Sequence, residues 1–332
     1  MTDLSDTAQQ LLQKGKGILA ADESVATADK RLASYGIKTG PEMRRQFRDL
    51  FLAAPGIEDY LSGVILYEET LTQEDDGGEP FALELTRRGI VPGIKVDEGT
   101  EPIPESPEEL ITKGLLGLPE RLLDFKKRYH TGFTKWRSAI RIEGDRLPTA
   151  HAIVENAKRL AAYAIEVQRA GMVPIVEPEV LLEGNHSRMR SRQVLEATLI
   201  ALMDALRDQG ADMSGLILKT SMALSGSETG RIDSPEEVAE DTVGALMKAV
   251  PPEVAGIVFL SGGQGNDQAT ENLRAIAKAA KAAQAPWPLT FSFARALQDE
   301  ALEIWAGDEA NQDAAREVFI GRLKKVSEAL AG

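Results

Sequence analysis

Eight short apolar runs recur along the 332-residue sequence, most of them separated by segments with the periodicity of an amphipathic helix. Each run is bounded by glycine or by polar residues, which predicts short buried strands. The runs lie within 15–24, 63–69, 89–97, 135–142, 172–179, 215–219, 256–261 and 289–293. We find no linker or composition break between them. The pattern therefore predicts an α/β fold with a single domain over residues 1–332, a (β/α)8 TIM barrel.

Composition narrows the functions that such a barrel could have. The chain is 43% hydrophobic and 27% charged, and it lacks an apolar stretch of membrane-spanning length. Its first residues, Met1 to Asp6, are acidic and do not resemble an export signal, so we expect a cytoplasmic protein without membrane contact. A net charge of −14 argues against nucleic-acid binding. With no cysteine and three histidines, we expect no disulfide, no metal and no cofactor.

Charged and hydroxyl side chains stand where the predicted strands end. In TIM barrels the carboxyl ends of the strands carry the active site. Acids and lysines that recur at so many strand ends are hard to explain by packing, because a charge inside a barrel mouth must be paired. We therefore expect lysines and carboxylates to alternate around the ring. The strand-end positions hold Asp22, Glu68, Lys95, Lys135, Arg137, Glu177, Glu179, Lys219, Ser261, Ser292 and Arg295.

Lys219 ends the apolar run 215–219, and this position favours a chemical role. Burial disfavours an ammonium group, and a second ammonium at Lys135 would act in the same direction, leaving an amine that could attack a ketone and form a Schiff base. Glu177 and Asp22 could supply the acid and base that such chemistry needs. The alternatives are a solvated loop beginning at Lys219, a surface loop at Glu177 and a helix cap at Asp22.

A glycine pair after the seventh run suggests a phosphate site. Glycines in Ser261-Gly262-Gly263 would let backbone N–H groups approach an anion, and Arg295 past the next run would supply a counter-charge. Lys95 and Arg137 could hold a second phosphate on the other side of Lys219. An ordinary glycine turn is the alternative for the isolated tripeptide.

Taken in order, these segments resemble class I fructose-bisphosphate aldolases from about residue 8 to residue 307. The resemblance implies a (β/α)8 barrel that reversibly cleaves fructose 1,6-bisphosphate into dihydroxyacetone phosphate and glyceraldehyde 3-phosphate without metal. This reaction belongs to glycolysis, gluconeogenesis or Calvin-type sugar phosphate metabolism. The matching motifs are Gly17–Ser24, Gly93–Asp97, Lys135–Arg137, Val173–Glu179, Phe259–Gly263 and Arg295–Gln298.

The resemblance also implies a role for each matching residue. Lys219 is similar to the Schiff-base lysine, and Glu177 to the acid/base of its formation. Asp22 and Lys135 would act around the cleaved bond, with Glu179 supporting the site. The 1-phosphate cradle would comprise Ser261, Gly262, Gly263, Ser292 and Arg295. The rest of the sugar phosphate would contact Ser24, Thr27, Lys30, Arg31, Lys95 and Arg137. Aldolases of this kind are often homotetramers, so a homo-oligomer is expected.

The sequence departs from the family pattern close to this site. Thr220-Ser221 follows the lysine where Pro-Asn is usual, Thr27 replaces a common serine, and Phe293-Ala294 replaces Tyr-Gly. All tyrosines lie at or before Tyr163, so we expect no C-terminal tyrosine to assist proton exchange. The competing functions are another Schiff-base barrel, such as a transaldolase or an aldolase for a different sugar phosphate, and a barrel that only binds.

Overall fold

The computed structural model describes residues 4–331. Met1 to Asp3 and Gly332 lie outside the described residues, and so does part of the N-terminal segment that we expected to lack an export signal. None of the described helices combines the length and the hydropathy that crossing a membrane requires.

Eight parallel strands form one sheet in the order β1-β2-β3-β6-β7-β8-β9-β10. The sheet curls into a barrel, and the backbone N–H of Ala20 in β1 donates to the carbonyl of Phe293, 2.9 Å away just past β10. All eight predicted strands are thereby confirmed. The strands are β1 Gly17–Ala21, β2 Leu61–Leu66, β3 Val91–Lys95, β6 Phe133–Ile140, β7 Val173–Val180, β8 Ile217–Thr220, β9 Gly256–Phe259 and β10 Leu289–Phe291.

Helices surround this barrel, and several begin where the sequence places a cap. Ser234 and Glu237 form a capping box at the start of α9, with Pro235 at the first helical position. Thr149 caps α7 by accepting from the N–H of Ala152. The helices are α1 Leu4–Leu11, α2 Val25–Ser34, α3 Pro41–Leu52, α4 Glu68–Leu71, α5 Phe81–Arg87, α6 Leu118–Tyr129, α7 Ala150–Arg169, α8 Arg188–Asp208, α9 Pro235–Ala249, α10 Asn266–Ala282, α11 Arg295–Trp305 and α12 Gln312–Ala329.

Apolar side chains fill the barrel at the amino ends of its strands. Leu11 from α1 closes this end and packs in one buried cluster with Phe133, Ile175 and Ile217 from the strands. The ring of Phe133 passes so close to Gly93 that a Cβ there would lie 2.3 Å from it, which explains the glycine. Because this end is full, polar chemistry is confined to the carboxyl ends.

The acidic, proline-rich segment after β3 differs from expectation. Its acid and proline content alone predicts a solvated, mobile loop through residue 107, whereas two antiparallel strands, β4 Thr100–Ile103 and β5 Ser106–Thr112, form a hairpin there. The buried carboxylate of Glu109 fixes it, since it accepts from the N–H and the hydroxyl of Thr149 at 2.8 and 2.7 Å. A local reading of proline and acid content misses a hairpin that a distant helix start stabilises.

Candidate active site

Strand alternation brings four charged side chains to the upper inside of the barrel. Residues two apart on a strand point to the same side. Lys135, Glu177 and Lys219 each follow by two positions an inward apolar residue of β6, β7 or β8, namely Phe133, Ile175 or Ile217. Asp22 stands in the same relation to Ala20 on β1. The charges therefore form the layer directly above the apolar plug.

These four side chains form an alternating chain of ion pairs. The Nζ atom of Lys135 lies 2.7 Å from an Asp22 carboxylate oxygen and 3.3 Å from Oε2 of Glu177. The other oxygen of Glu177, Oε1, lies 3.1 Å from Nζ of Lys219. Lys135, Glu177 and Lys219 are each less than 5% exposed. The predicted alternation of acids and lysines is present, and Lys219 lies inside the barrel mouth instead of beginning a solvated loop.

The pKa values of the two acids depend on the lysines with which they pair. Burial would raise the pKa of Asp22, but the ammonium of Lys135, helped by Lys219 and Lys95, lowers it from 3.8 to about 2. Burial likewise opposes ionisation of Glu177, yet the two flanking lysines hold its pKa below the ordinary value. Both acids are carboxylates at neutral pH.

Lys135 behaves differently from the sequence expectation. Two neighbouring ammonium groups were expected to favour a free amine on at least one of them. Glu177 instead lies between Lys135 and Lys219 and contacts both. Burial would lower the pKa of Lys135, but the carboxylates around it, Asp22 first, raise it well above 10.5. Lys135 is a cation at neutral pH, because the carboxylates of Asp22 and Glu177 outweigh the effect of burial.

The residues predicted to bind the 1-phosphate lie together on one side of the four paired charges. Ser261 follows β9, and Gly262 and Gly263 have φ values of 57° and 87°, left-handed backbone that glycine adopts readily. A guanidinium nitrogen of Arg295 lies 3.5 Å from the point that a Cβ atom on Gly263 would occupy. The Ser292 hydroxyl is buried and has no hydrogen-bond partner among residues 4–331. The arrangement offers donors to an anion.

A cavity of about 750 Å³ opens on the other side and collects five predicted residues. Two of its cations carry counter-ions: Lys95 Nζ lies 2.6 Å from an Asp97 oxygen, and Arg137 pairs with Glu179. An anion that binds here must compete with these carboxylates. The predicted residues among its lining are Asp22, Ser24, Thr27, Lys95 and Arg137.

Arg31 and Lys30 are not brought into this cavity. Arg31 is committed to the protein itself, because its guanidinium lies 2.6 Å from a carboxylate oxygen of Glu23 and 2.6 Å from one of Asp299. These pairs connect the last turn of α2 to Glu23 and to α11. Lys30 is exposed on α2 and does not line the cavity.

The residues that depart from the family pattern are placed close to the charges. Thr220 ends β8 and is fully buried, and the Ser221 hydroxyl accepts from the N–H of Val180 at 3.2 Å. Ser221 thereby joins the ends of β7 and β8. Phe293 is buried, whereas Ala294 lines the cavity.

Sequence reasoning missed three residues of the mouth. Asp97 neutralises Lys95, Glu23 bridges Arg31 and Arg48, and Arg121 lines the cavity with Nη1 3.0 Å from a Glu98 oxygen. The Lys95-x-Asp97 spacing could have indicated the first, since both side chains leave one strand end on the same side. Arg121 comes from helix α6, and strand ends give no signal for it.

No group of three His, Asp or Glu side chains between residues 4 and 331 converges in the way a metal ion requires.

Comparisons with known proteins agree with one another. A family model described as class-I fructose-bisphosphate aldolase matches residues 3–332. A probable fructose-bisphosphate aldolase class 1 of Xanthomonas axonopodis pv. citri is 45% identical, with 97% of this chain and 95% of the relative covered. Fructose-bisphosphate aldolase 6, cytosolic, of Arabidopsis thaliana is 46% identical over 96% of this chain and 87% of its own length. A Plasmodium falciparum fructose-bisphosphate aldolase structure superposes with a TM-score of 0.95, at 41% identity, over 98% of this chain and 93% of that one.

Proposed function

The chain belongs to the class I fructose-bisphosphate aldolase family, and from this premise we propose that it cleaves fructose 1,6-bisphosphate reversibly through a Schiff base on Lys219. The observation that carries the assignment to Lys219 is its contact with Glu177. A buried amino group 3.1 Å from a carboxylate that is itself ionised has a base within reach to take its proton. Lys135 and Lys95 also contact carboxylates, but Asp22 and Glu177 together raise the pKa of Lys135 and hold it as the cation, and Lys95, which is less buried, donates to Asp97 beyond the end of β3.

Formation of the Schiff base follows from that contact. Glu177 accepts a proton from the Lys219 ammonium, and the free amine adds to the substrate ketone to give a carbinolamine. Protonated Glu177 then returns the proton to the departing hydroxyl, which leaves as water. The product is an iminium, whose positive nitrogen can receive the electron pair of a neighbouring carbon–carbon bond.

Cleavage needs a base for the substrate hydroxyl next to the breaking bond. Asp22, a carboxylate at neutral pH, stands with Lys135 on the side of Glu177 away from Lys219. Loss of the hydroxyl proton expels glyceraldehyde 3-phosphate and leaves an enamine on Lys219. Protonation of that enamine and hydrolysis of the iminium release dihydroxyacetone phosphate and restore the lysine.

The two phosphates would occupy the two sides of the charge chain. We assign the 1-phosphate to Ser261, Gly262, Gly263, Ser292 and Arg295, where glycine N–H groups and an exposed guanidinium converge. We assign the 6-phosphate side to the cavity with Lys95, Arg137, Ser24 and Thr27. Glu179 orients Arg137 there. The positions of Lys30 and Arg31 support no direct substrate contact.

We further infer a cytoplasmic enzyme that assembles as a homo-oligomer, with a tetramer as the expected form. The Arabidopsis relative is named as a cytosolic aldolase, which supports the location. Two leucines near the start of α6 support assembly, since Leu116 is 94% exposed and Leu123 is 61% exposed. A contiguous apolar patch that included both leucines would form a surface for another subunit.

Borohydride trapping tests the assignment. Reduction in the presence of dihydroxyacetone phosphate should add one substrate to Lys219, as located by peptide mass mapping. Lys219→Met should remove the adduct, and Lys158→Met, an exposed lysine on α7, should keep it. An adduct at Lys135 or Lys95 would contradict the mechanism. Comparing cleavage of fructose 1,6-bisphosphate, fructose 1-phosphate and sedoheptulose 1,7-bisphosphate separates this aldolase from one for another sugar phosphate, and absence of any adduct would favour a barrel that only binds.

A further inference from the structure

A pair of buried amides lies beneath the glycine loop that follows β9. Gln264 is 9% exposed and Asn272, on α10, is fully buried. The side-chain nitrogen of Asn272 donates to Oε1 of Gln264 at 2.7 Å, and Nε2 of Gln264 donates to the carbonyl oxygen of Ser261 at 2.8 Å. Asn272 thus fixes which end of the Gln264 amide faces the loop.

The Ser261 carbonyl is held from two directions. Besides the side chain of Gln264, the backbone N–H of the same residue donates to this oxygen at 3.1 Å. In a trans peptide the C=O and the following N–H point in opposite directions. A carbonyl that is turned toward Gln264 therefore turns the N–H of Gly262 away from Gln264, and the guanidinium of Arg295 lies beside the next residue, Gly263.

Gln264 also contacts the segment that follows the strand with the Schiff-base lysine. Its Nε2 lies 3.6 Å from the sulfur of Met222, three residues after Lys219. One amide group thus contacts both the segment that would hold the phosphate and the segment that follows β8. Its position bears on the distance between the lysine nitrogen and the bound phosphate.

We propose that Gln264, oriented by Asn272, is a positioning residue that aims the Gly262 N–H at the substrate phosphate and sets the glycine loop against the Lys219 strand. The inference rests on the proposed function, because it takes the anion at this loop to be the phosphate of the ketose. Gln264 touches no reacting atom in this scheme. It acts only through the peptide between Ser261 and Gly262.

The consequence is a preference for phosphorylated ketones that depends on Gln264. Gln264→Met keeps the length and apolar packing of the side chain but removes its donor. Gln264→Glu keeps its shape but sets a second acceptor against the Ser261 carbonyl. Gln268, partly exposed four residues later on α10, provides the matched control Gln268→Met.

The experiment measures borohydride trapping at Lys219 with dihydroxyacetone phosphate and with dihydroxyacetone, which lacks the phosphate. For Gln264→Met we expect the half-saturating concentration of dihydroxyacetone phosphate to rise about tenfold, as for loss of one hydrogen bond to a charged group. Trapping with dihydroxyacetone should stay within about twofold of wild type. Gln264→Glu should lose the phosphate preference more strongly, and Gln268→Met should match wild type. Circular dichroism melts of each variant verify folding.

A merely structural role would give a different pattern. If the variants weaken trapping of both ketones equally, or if neither variant changes the preference, Gln264 does not position the loop. If Gln264→Met does not fold, Gln264→Glu carries the same comparison. Failure of the proposed function is recognised separately, because the wild-type protein would then form no Lys219 adduct with either ketone.

Discussion

Replacing Lys135 by methionine would test the charge chain most directly. The substitution keeps the length of the side chain but leaves Asp22 and Glu177 as two buried carboxylates that have lost a shared cation. Removing one partner of a buried ion pair costs about 3–5 kcal/mol in the free energy of unfolding, because the remaining charge is uncompensated.

The shift at Asp22 gives the scale of the stabilisation that Lys135 contributes together with Lys219 and Lys95. A fall of its pKa from 3.8 to about 2 corresponds to roughly 2–3 kcal/mol of stability at neutral pH. This contribution is present above pH 3.8 and is lost as the pH falls through about 2, since the folded-state pKa is the lower one. Without Lys135, burial dominates and the pKa of Asp22 rises.

Because the pKa of Asp22 is lowered in wild type and raised in Lys135→Met, the difference in their unfolding free energies should depend on pH. At pH 7 we expect urea denaturation to show Lys135→Met destabilised by about 3–5 kcal/mol relative to wild type. As the pH falls toward 5, the variant protonates its buried carboxylates, and the difference should shrink by up to about 1.4 kcal/mol per pH unit for each. Lys158→Met, which removes an exposed cation paired to Glu155, should stay within about 0.5 kcal/mol throughout. A difference below about 1 kcal/mol at pH 7, or one that is independent of pH, would refute the reasoning.

Two further predictions concern the chemistry. Glu177→Gln should lower kcat by about 100-fold or more and change KM little, because it removes a proton carrier. Arg295→Ala should instead raise KM, most for substrates with a 1-phosphate. Steady-state assays of both variants check this, and identical kinetic patterns would contradict the division of roles. Prolonged dialysis against EDTA should leave the rate of cleavage unchanged, because the iminium on Lys219 replaces a Lewis acid as the electron sink, and a loss of activity that zinc restores would count against it.

The barrel could be predicted because the local sequence of each strand is enough to identify it. Short runs rich in valine, isoleucine and leucine, bounded by glycine and followed by charge, are read without knowledge of their neighbours. The same reading places Lys135, Glu177 and Lys219 at one end of the barrel and anticipates that acids and lysines alternate. It does not establish which groups touch, and the pKa of Lys135 is raised by carboxylate contacts that strand spacing alone does not reveal. The carboxylate that lies between the two lysines is a fact of packing.

Other parts of the site have no local signature. The β4–β5 hairpin depends on Glu109 meeting the start of α7, about forty residues later. Gln264 looks like any polar residue after a glycine turn until Asn272 is seen to orient it. Neither of the segments that meet in such a contact has a sequence pattern that predicts the other. The contacts can be seen only in the folded protein.

The four charges above the apolar plug each come from a different strand-and-helix unit, and Asp22 and Lys135 are separated by more than a third of the chain. No fragment that stops short of β8 contains the complete set. Contacts so distant in sequence form late, because the intervening loops must first be closed. During synthesis and refolding, the ionised groups therefore remain hydrated until the circle of strands is nearly complete. Their dehydration and their pairing should coincide with the final cooperative step, so that catalytic competence arrives all at once and not by degrees.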